Sequence, residues 1–287
     1  MPTSPFSPQP EAVVRLREAS KAVVQGVNQV YKAFQGLNLD VYPGEKLGIF
    51  AVNAFEGKAL LACMSGVEPL DSGSLDHNAS VSWPLGSNDA FQGKLSGYMN
   101  ARFAVEVYSQ PGQIDGDMRL IQELSGVDNL LYHKPFGEWP SAQKDALKLA
   151  VSLAFEFDVV AVGRITGWNH RAIHPQSVRI RNCFEQRIDG RTMILCASGQ
   201  HNLAMDYCDE GLVLVNGEIA YRGDSEVCIE LVKEESKRQK QERRERVNKR
   251  IAKLIGSEGI DDLDDDDPID SEQESDLAYA DQRNLPN

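Results

Sequence analysis

From Val13 to about Val232, short apolar runs alternate with stretches of helical spacing, as in an α/β domain with a mostly parallel sheet. Leu47–Val52, Asp158–Val162 and Thr192–Ala197 lack strict alternation, which predicts strands covered on both faces. Val13–Glu18 and Leu37–Val41 read as earlier strands, closed by a Pro43-Gly44 turn, and Gly211–Val215 and Glu218–Tyr221 as later ones. The last two flank Asn216-Gly217, a strong two-residue hairpin signal. Ser141–Phe155 predicts a helix with Ala146, Leu149, Ala150 and Leu153 on one face and Ser141 as its cap.

Beyond Lys233 the pattern changes. Residues 233–253 are dense in Lys, Arg, Glu and Gln, with Val247, Ile251, Leu254 and Ile255 at helical spacing, which predicts an exposed helix with one narrow apolar stripe. After Gly256 the chain turns strongly acidic through Asp261-Asp262 and Asp264–Asp267, a composition expected to be disordered. Basic helix and acidic tail can screen one another. The expected organisation is a flexible terminus (1–12), one large domain (13–232), a charged helix (233–256) and an acidic tail (257–287).

Composition narrows the function classes. The 287 residues are 41% hydrophobic, enough for a substantial core, and the net charge of −13 argues against a general nucleic-acid binder. The five cysteines show no C-x-x-C spacing, so neither a disulfide framework nor a zinc site is indicated and a reducing compartment is expected. The N-terminal residues carry no basic-then-apolar signal, and the most apolar stretch, Leu147–Val162, is broken by Lys148, Glu156 and Asp158. The expectation is a soluble chain that does not span a membrane.

Candidate chemistry centres on Gly57-Lys58. The strand Leu47–Val52, a loop from Asn53 to Gly57 and a helix starting near Lys58 have the layout of a phosphate-binding loop. Such a loop needs Gly, four residues, then Gly-Lys-Ser/Thr, so that backbone amides wrap phosphate and the hydroxyl binds magnesium. Val52 stands in place of the first glycine and Ala59 in place of the hydroxyl.

Further residues extend the reading. Met64-Ser65-Gly66-Val67-Glu68-Pro69 through Ser72-Gly73-Ser74, then Val81-Ser82-Trp83-Pro84-Leu85 and Phe91-Gln92-Gly93, together with Tyr207–Gly211 before the hairpin, resemble the ATP-binding subunit of ABC transporters, in the subfamily that exports capsular and related polysaccharides. The resemblance covers about Val13 to Val232. It implies an ABC ATPase-like P-loop NTPase fold with a mostly parallel sheet, an antiparallel β subdomain and a helical subdomain.

Gln92 takes the place of the family's magnesium- and water-contacting glutamine. The other positions depart. No ring stands in Lys21–Val24, where the family stacks adenine. The family's Gly-Arg-Asn-Gly-Ala-Gly-Lys-Ser-Thr corresponds to Ala51–Leu60, with one residue more and Glu56 beside the phosphates. Gly163-Arg164 replaces Asp-Glu after the strand, Ser198 the switch histidine and Ser141-Ala142-Gln143 the signature, while His201 reads as an ordinary residue.

The resemblance thus implies vestigial nucleotide-binding positions at Asn53, Gly57, Lys58, Ala59, Gln92 and Ser141, degenerate catalytic positions at Gly163, Arg164 and Ser198, and no catalytic residue. ATP would bind with weakened affinity and without Mg2+. The expected role is a non-hydrolysing or regulatory subunit of a polysaccharide export system at the inner face of the plasma membrane. Its partners would be a permease and either a second copy or an intact ABC ATPase, with no nucleic acid. An active ATP-hydrolysing subunit and a protein-binding scaffold are the alternatives. Arg164 reads as a charge on a solvated loop, with direct contact to a phosphate as the alternative.

Overall fold

The computed structural model describes residues 11–25, 29–87, 91–166 and 168–256. The expected terminus and acidic tail otherwise lie outside the described residues, as do the side chains of Ile251, Leu254 and Ile255.

Two sheets organise the chain. Strands β1 (Val14–Gln25), β2 (Gln29–Val41) and β4 (Ser72–His77) form an antiparallel sheet in the order β2-β1-β4. β1 and β2 run longer than the apolar pattern indicates, because pairing continues through Val24↔Val30 past register shifts at Ala19 and Lys21 that break the alternation. The second sheet has the order β5-β6-β3-β7-β8, built from β3 (Lys46–Ala51), β5 (Val159–Val162), β6 (Thr192–Cys196), β7 (Glu210–Val215) and β8 (Glu218–Gly223). β5, β6, β3 and β7 are parallel. β5 and β6 are buried throughout, as their unbroken apolar runs require.

The β7–β8 connection is a two-residue turn with Asn216 and Gly217 at φ 53° and 80°. It packs on β2 so closely that a Cβ at Gly217 would lie 2.9 Å from the Ala33 carbonyl oxygen.

Helix α1 (Ala54–Met64) follows β3 and, with both sheets, buries Ile49, Leu60, Met64, Leu16 and Phe34 in one core. A second core lies among α2 (Gly97–Tyr108), α3 (Ile114–Ser125), the short α4 (Asn129–Tyr132), α5 (Ser141–Ala154) and α6 (Pro175–Ile188). Ser96 caps α2 by accepting from the Met99 amide, and Asp128 caps α4. Pro140, not Ser141, holds the N-cap position of α5, and Ser141 is its first helical residue without a capping side-chain bond.

After α7 (His201–Tyr207) and the β7–β8 hairpin comes α8 (Ser225–Gly256), a continuous helix of 32 residues. Cys228 and Val232 bury its first turns against the domain, whereas residues 241–250 are all exposed. Among the described residues no helix is long and apolar enough to cross a membrane.

Candidate functional site

In open α/β sheets ligands bind beyond the carboxyl ends of the parallel strands. Here those ends are Ala51 of β3, Val162 of β5 and Cys196 of β6, and the segments leaving them carry Asn53–Ala59, Gly163-Arg164 and Ser198.

The phosphate-loop candidate differs from its sequence reading. Only Val52 and Asn53 separate the end of β3 from the start of α1, so the helix begins at Ala54, four residues earlier than expected. Asn53 explains this: its extended backbone and side chain cap the helix, with Oδ1 accepting from the Phe55 amide at 3.0 Å. The Glu56 amide donates to the Asn53 carbonyl at 3.0 Å. Two amides at this helix start are thus already satisfied within the chain.

Side chains follow the helix register. Gly57 is buried against Ala51, Cys196 and Ser198, and a Cβ there would meet Cys196 Sγ at 3.2 Å. Lys58 is exposed, with its ammonium 5.5 Å from the centroid of the Phe55 ring. Ala59 is buried in the core below the sheets. The carboxylate expected beside phosphate points inward: Glu56 is 1% exposed, and one oxygen accepts from the Tyr31 hydroxyl of β2. Its other oxygen, Oε2, is sealed from solvent without a hydrogen bond of normal geometry among the described residues. Burial pushes the Glu56 carboxyl up, opposed by the Tyr31 hydroxyl and the nearby Gly217 amide. Burial and the Glu56 charge push Tyr31 up to about 12, keeping it a donor at neutral pH.

The ends of β5 and β6 are bridged by a residue the sequence reading did not single out. Gln200 Nε2 donates to the Gly163 carbonyl at 2.6 Å and to the Cys196 carbonyl at 2.8 Å, while its Oε1 accepts from the Ile165 amide at 3.2 Å. One side chain thereby ties Gly163, where a carboxylate was expected by resemblance, to Cys196, two residues before the Ser198 that stands in the histidine's place. A lone glutamine beside a Ser-Gly pair carries no sequence signal for such a role.

Other neighbours are structural. Gly163 has Pro84 3.2 Å from where a Cβ would stand, Arg164 is exposed, and Ser198 Oγ is buried without a hydrogen bond of normal geometry among the described residues. Burial pushes the Cys196 thiol up, so it is not a thiolate nucleophile. His201 opens α7 with its ring 6.1 Å from that of Phe50.

Two predicted residues lie on other elements. Gln92 is exposed but fixed through its backbone: the amide donates to Asn100 Oδ1 at 2.8 Å and the carbonyl accepts from Asn100 Nδ2 at 3.1 Å, joining this segment to α2. Ser141 is exposed at the start of α5. Nearby, Asp145 accepts from Lys148 at 2.9 Å and from Thr166 at 2.8 Å, tying α5 to the segment after β5.

No family model matches the chain. Individual proteins do. It is 32% identical over 205 residues to the ATP-binding protein BexA of Haemophilus influenzae, spanning 71% of this chain and 90% of that one. It is 31% identical over 214 residues to the capsule polysaccharide export ATP-binding protein CtrD of Neisseria meningitidis, covering 72% and 96% of the two chains. The polysialic acid transport ATP-binding protein KpsT of Escherichia coli is 24% identical over 186 residues, 65% of this chain and 81% of that one.

Among solved structures, the ATP-binding cassette MJ0796, a dimer bound to ADP and phosphate, superposes with a TM-score of 0.54 at 14% identity. That match covers 74% of this chain and 98% of the cassette, and establishes the ABC ATPase-like P-loop fold. With two relatives above 30% identity over nearly their whole length, the chain belongs to the family of ATP-binding proteins of capsule polysaccharide export.

Proposed function

We propose that this chain is a nucleotide-binding-domain subunit of a polysaccharide exporter that has lost hydrolysis and serves a non-hydrolysing or regulatory role. The observation that carries the reading is the short β3–α1 connection, with α1 starting at Ala54 and Glu56 turned into the core. A loop that wraps phosphate needs several unsatisfied amides and an inward-reaching lysine. Here the start is capped by Asn53, and Lys58 lies on the exposed side.

The register supports this further. Set on Asn53, the family's nine-residue loop threads from Ala51 to Ala59 without an insertion. Gly57 then occupies the lysine position and Lys58 that of the magnesium-binding hydroxyl. The extra residue inferred from the Gly57-Lys58 pair is unnecessary, and the pair is a coincidence of type shifted by one place.

Magnesium takes oxygen ligands in octahedral geometry. Ala59 and Gly163 offer no side-chain oxygen, and neither Lys58 nor Arg164 can accept a proton. The residues do not fit a catalytic magnesium ion. Losing one positioned acid or base costs about 10²–10⁴-fold. Phosphoryl transfer depends on metal and positioning almost entirely, so absence of both leaves negligible turnover. ATP binds with weakened affinity.

The partner is proposed to be the export permease at the inner face of the plasma membrane, together with a second copy or an intact ABC ATPase that supplies the energy. An exposed apolar stripe on α2, formed by Met99, Phe103 and Val107 at helical spacing, supports a protein partner. The exposure of Ser141 at the start of α5 supports the reading that it completes a neighbour's site. Affinity purification of the full chain from its native source tests this. Recovery of a permease or of an intact ATPase is expected, and recovery of the chain with neither would overturn it.

A further inference from the structure

Charge on α8 is sorted by face. Residues 233–253 contain ten Lys and Arg against four Glu. Lys233, Lys237, Lys240 and Arg244 follow one another at spacings of four, three and four, which places them in a single stripe. All four are exposed, and none forms an ion pair among the described residues. Glu235 and Glu242 lie on the other side of the helix, where they pair with Arg238 at 2.6 Å and Arg246 at 3.8 Å, while Glu234, three residues before Lys237, flanks the stripe. Lys240 and Arg244 have no acidic residue three or four positions away, so the stripe keeps an excess of positive charge, and its residues stand beyond the buried turn at Val232.

Residues 257–287 carry twelve Asp and Glu and one Arg, with four consecutive aspartates at Asp264–Asp267. We propose that this acidic segment lies back along α8 and occupies the Lys237–Lys240–Arg244 stripe of its own chain, as an internal competitor for any polyanionic partner.

Reach permits it. Arg244 and Lys237 stand roughly 18 and 29 Å before Gly256 at the helical rise. The aspartate run is eight to eleven residues past Gly256, a span of up to about 26–36 Å when extended. A tether this short gives an effective concentration on the order of millimolar, far above that of a competing anion at micromolar levels. Lys233 lies at the limit of that reach, so the contact centres on Lys237, Lys240 and Arg244. The attraction is between exposed groups and weakens as the screening length falls from about 10 Å at 0.1 M salt to about 3 Å at 1 M.

Zero-length carbodiimide coupling of the full chain, followed by peptide mass spectrometry, tests this. A 1:1 mixture of 14N- and 15N-labelled protein separates coupling within one chain from coupling between chains. The expected result is intrachain coupling of Lys237 and Lys240 to Asp264–Asp267 in 20 mM salt, severalfold above coupling to Lys94 and Lys134 on the domain surface and reduced severalfold in 500 mM salt. Three results would each overturn the proposal: coupling to all four lysines alike, coupling only between chains, or no salt-sensitive coupling at Lys237 and Lys240.

Discussion

The Tyr31 hydroxyl of β2 donates to the buried carboxyl of Glu56 in the first turn of α1, joining the antiparallel sheet to the helix that follows β3. The acidic side chain is thereby held inside the protein, away from the exposed ammonium of Lys58 two residues on.

Breaking that bond by Tyr31→Phe leaves a sealed carboxyl without its donor, at a cost of about 1–3 kcal/mol. Urea unfolding at pH 7 measures it. A change within about 0.5 kcal/mol, the range of an ordinary surface substitution, would contradict the buried bond.

Glu56→Gln separates charge from shape. Burial raises the Glu56 carboxyl above its ordinary value, so the ionised form is disfavoured in the folded state. Its contribution to stability is full below the unfolded value and is lost as pH rises through the folded one. The melting temperature of Glu56→Gln minus that of the wild type is therefore expected to be more positive at pH 8 than at pH 4.5. A flat difference would show that Glu56 carries no such penalty.

Gln200→Ala removes three hydrogen bonds that span the ends of β5 and β6. The cost expected is about 1–3 kcal/mol, limited by water replacing the amide at this half-buried position. Hydrogen exchange of the Ile165 amide is expected to speed up in the variant. Unchanged exchange there would mean that Gln200 does not hold this segment.

Gly217→Ala tests the turn beneath Glu56. With φ 80° and the Ala33 carbonyl oxygen 2.9 Å from any Cβ, the variant must strain the backbone and displace β2. A loss above about 1 kcal/mol is expected in thermal or urea unfolding. A stabilised variant would contradict the close packing of the hairpin on β2.

Much of this architecture was legible in the chain. The unbroken apolar runs around Val160 and Ile194 announced buried parallel strands, and Asn216-Gly217 announced its hairpin, because a period-free apolar run and a left-handed turn each leave a local trace. The start of α1 was misread for the same reason: Gly57-Lys58 has the letters of a phosphate loop, whereas the boundary is set by the Asn53 cap four residues earlier. The Tyr31–Glu56 bond and the Gln200 bridge join residues 25 and 37 positions apart, and nothing in either local pattern signals its partner. The place of Tyr31 is not legible because β1 and β2 pair beyond the apolar pattern, bringing Tyr31 opposite Val23.

Release of inorganic phosphate from Mg-ATP by the purified full chain, measured beside Lys58→Ala, tests the central claim most directly. Equal rates for the two proteins, at the level of the buffer, are the predicted result. Magnesium-dependent turnover that disappears in Lys58→Ala would contradict it.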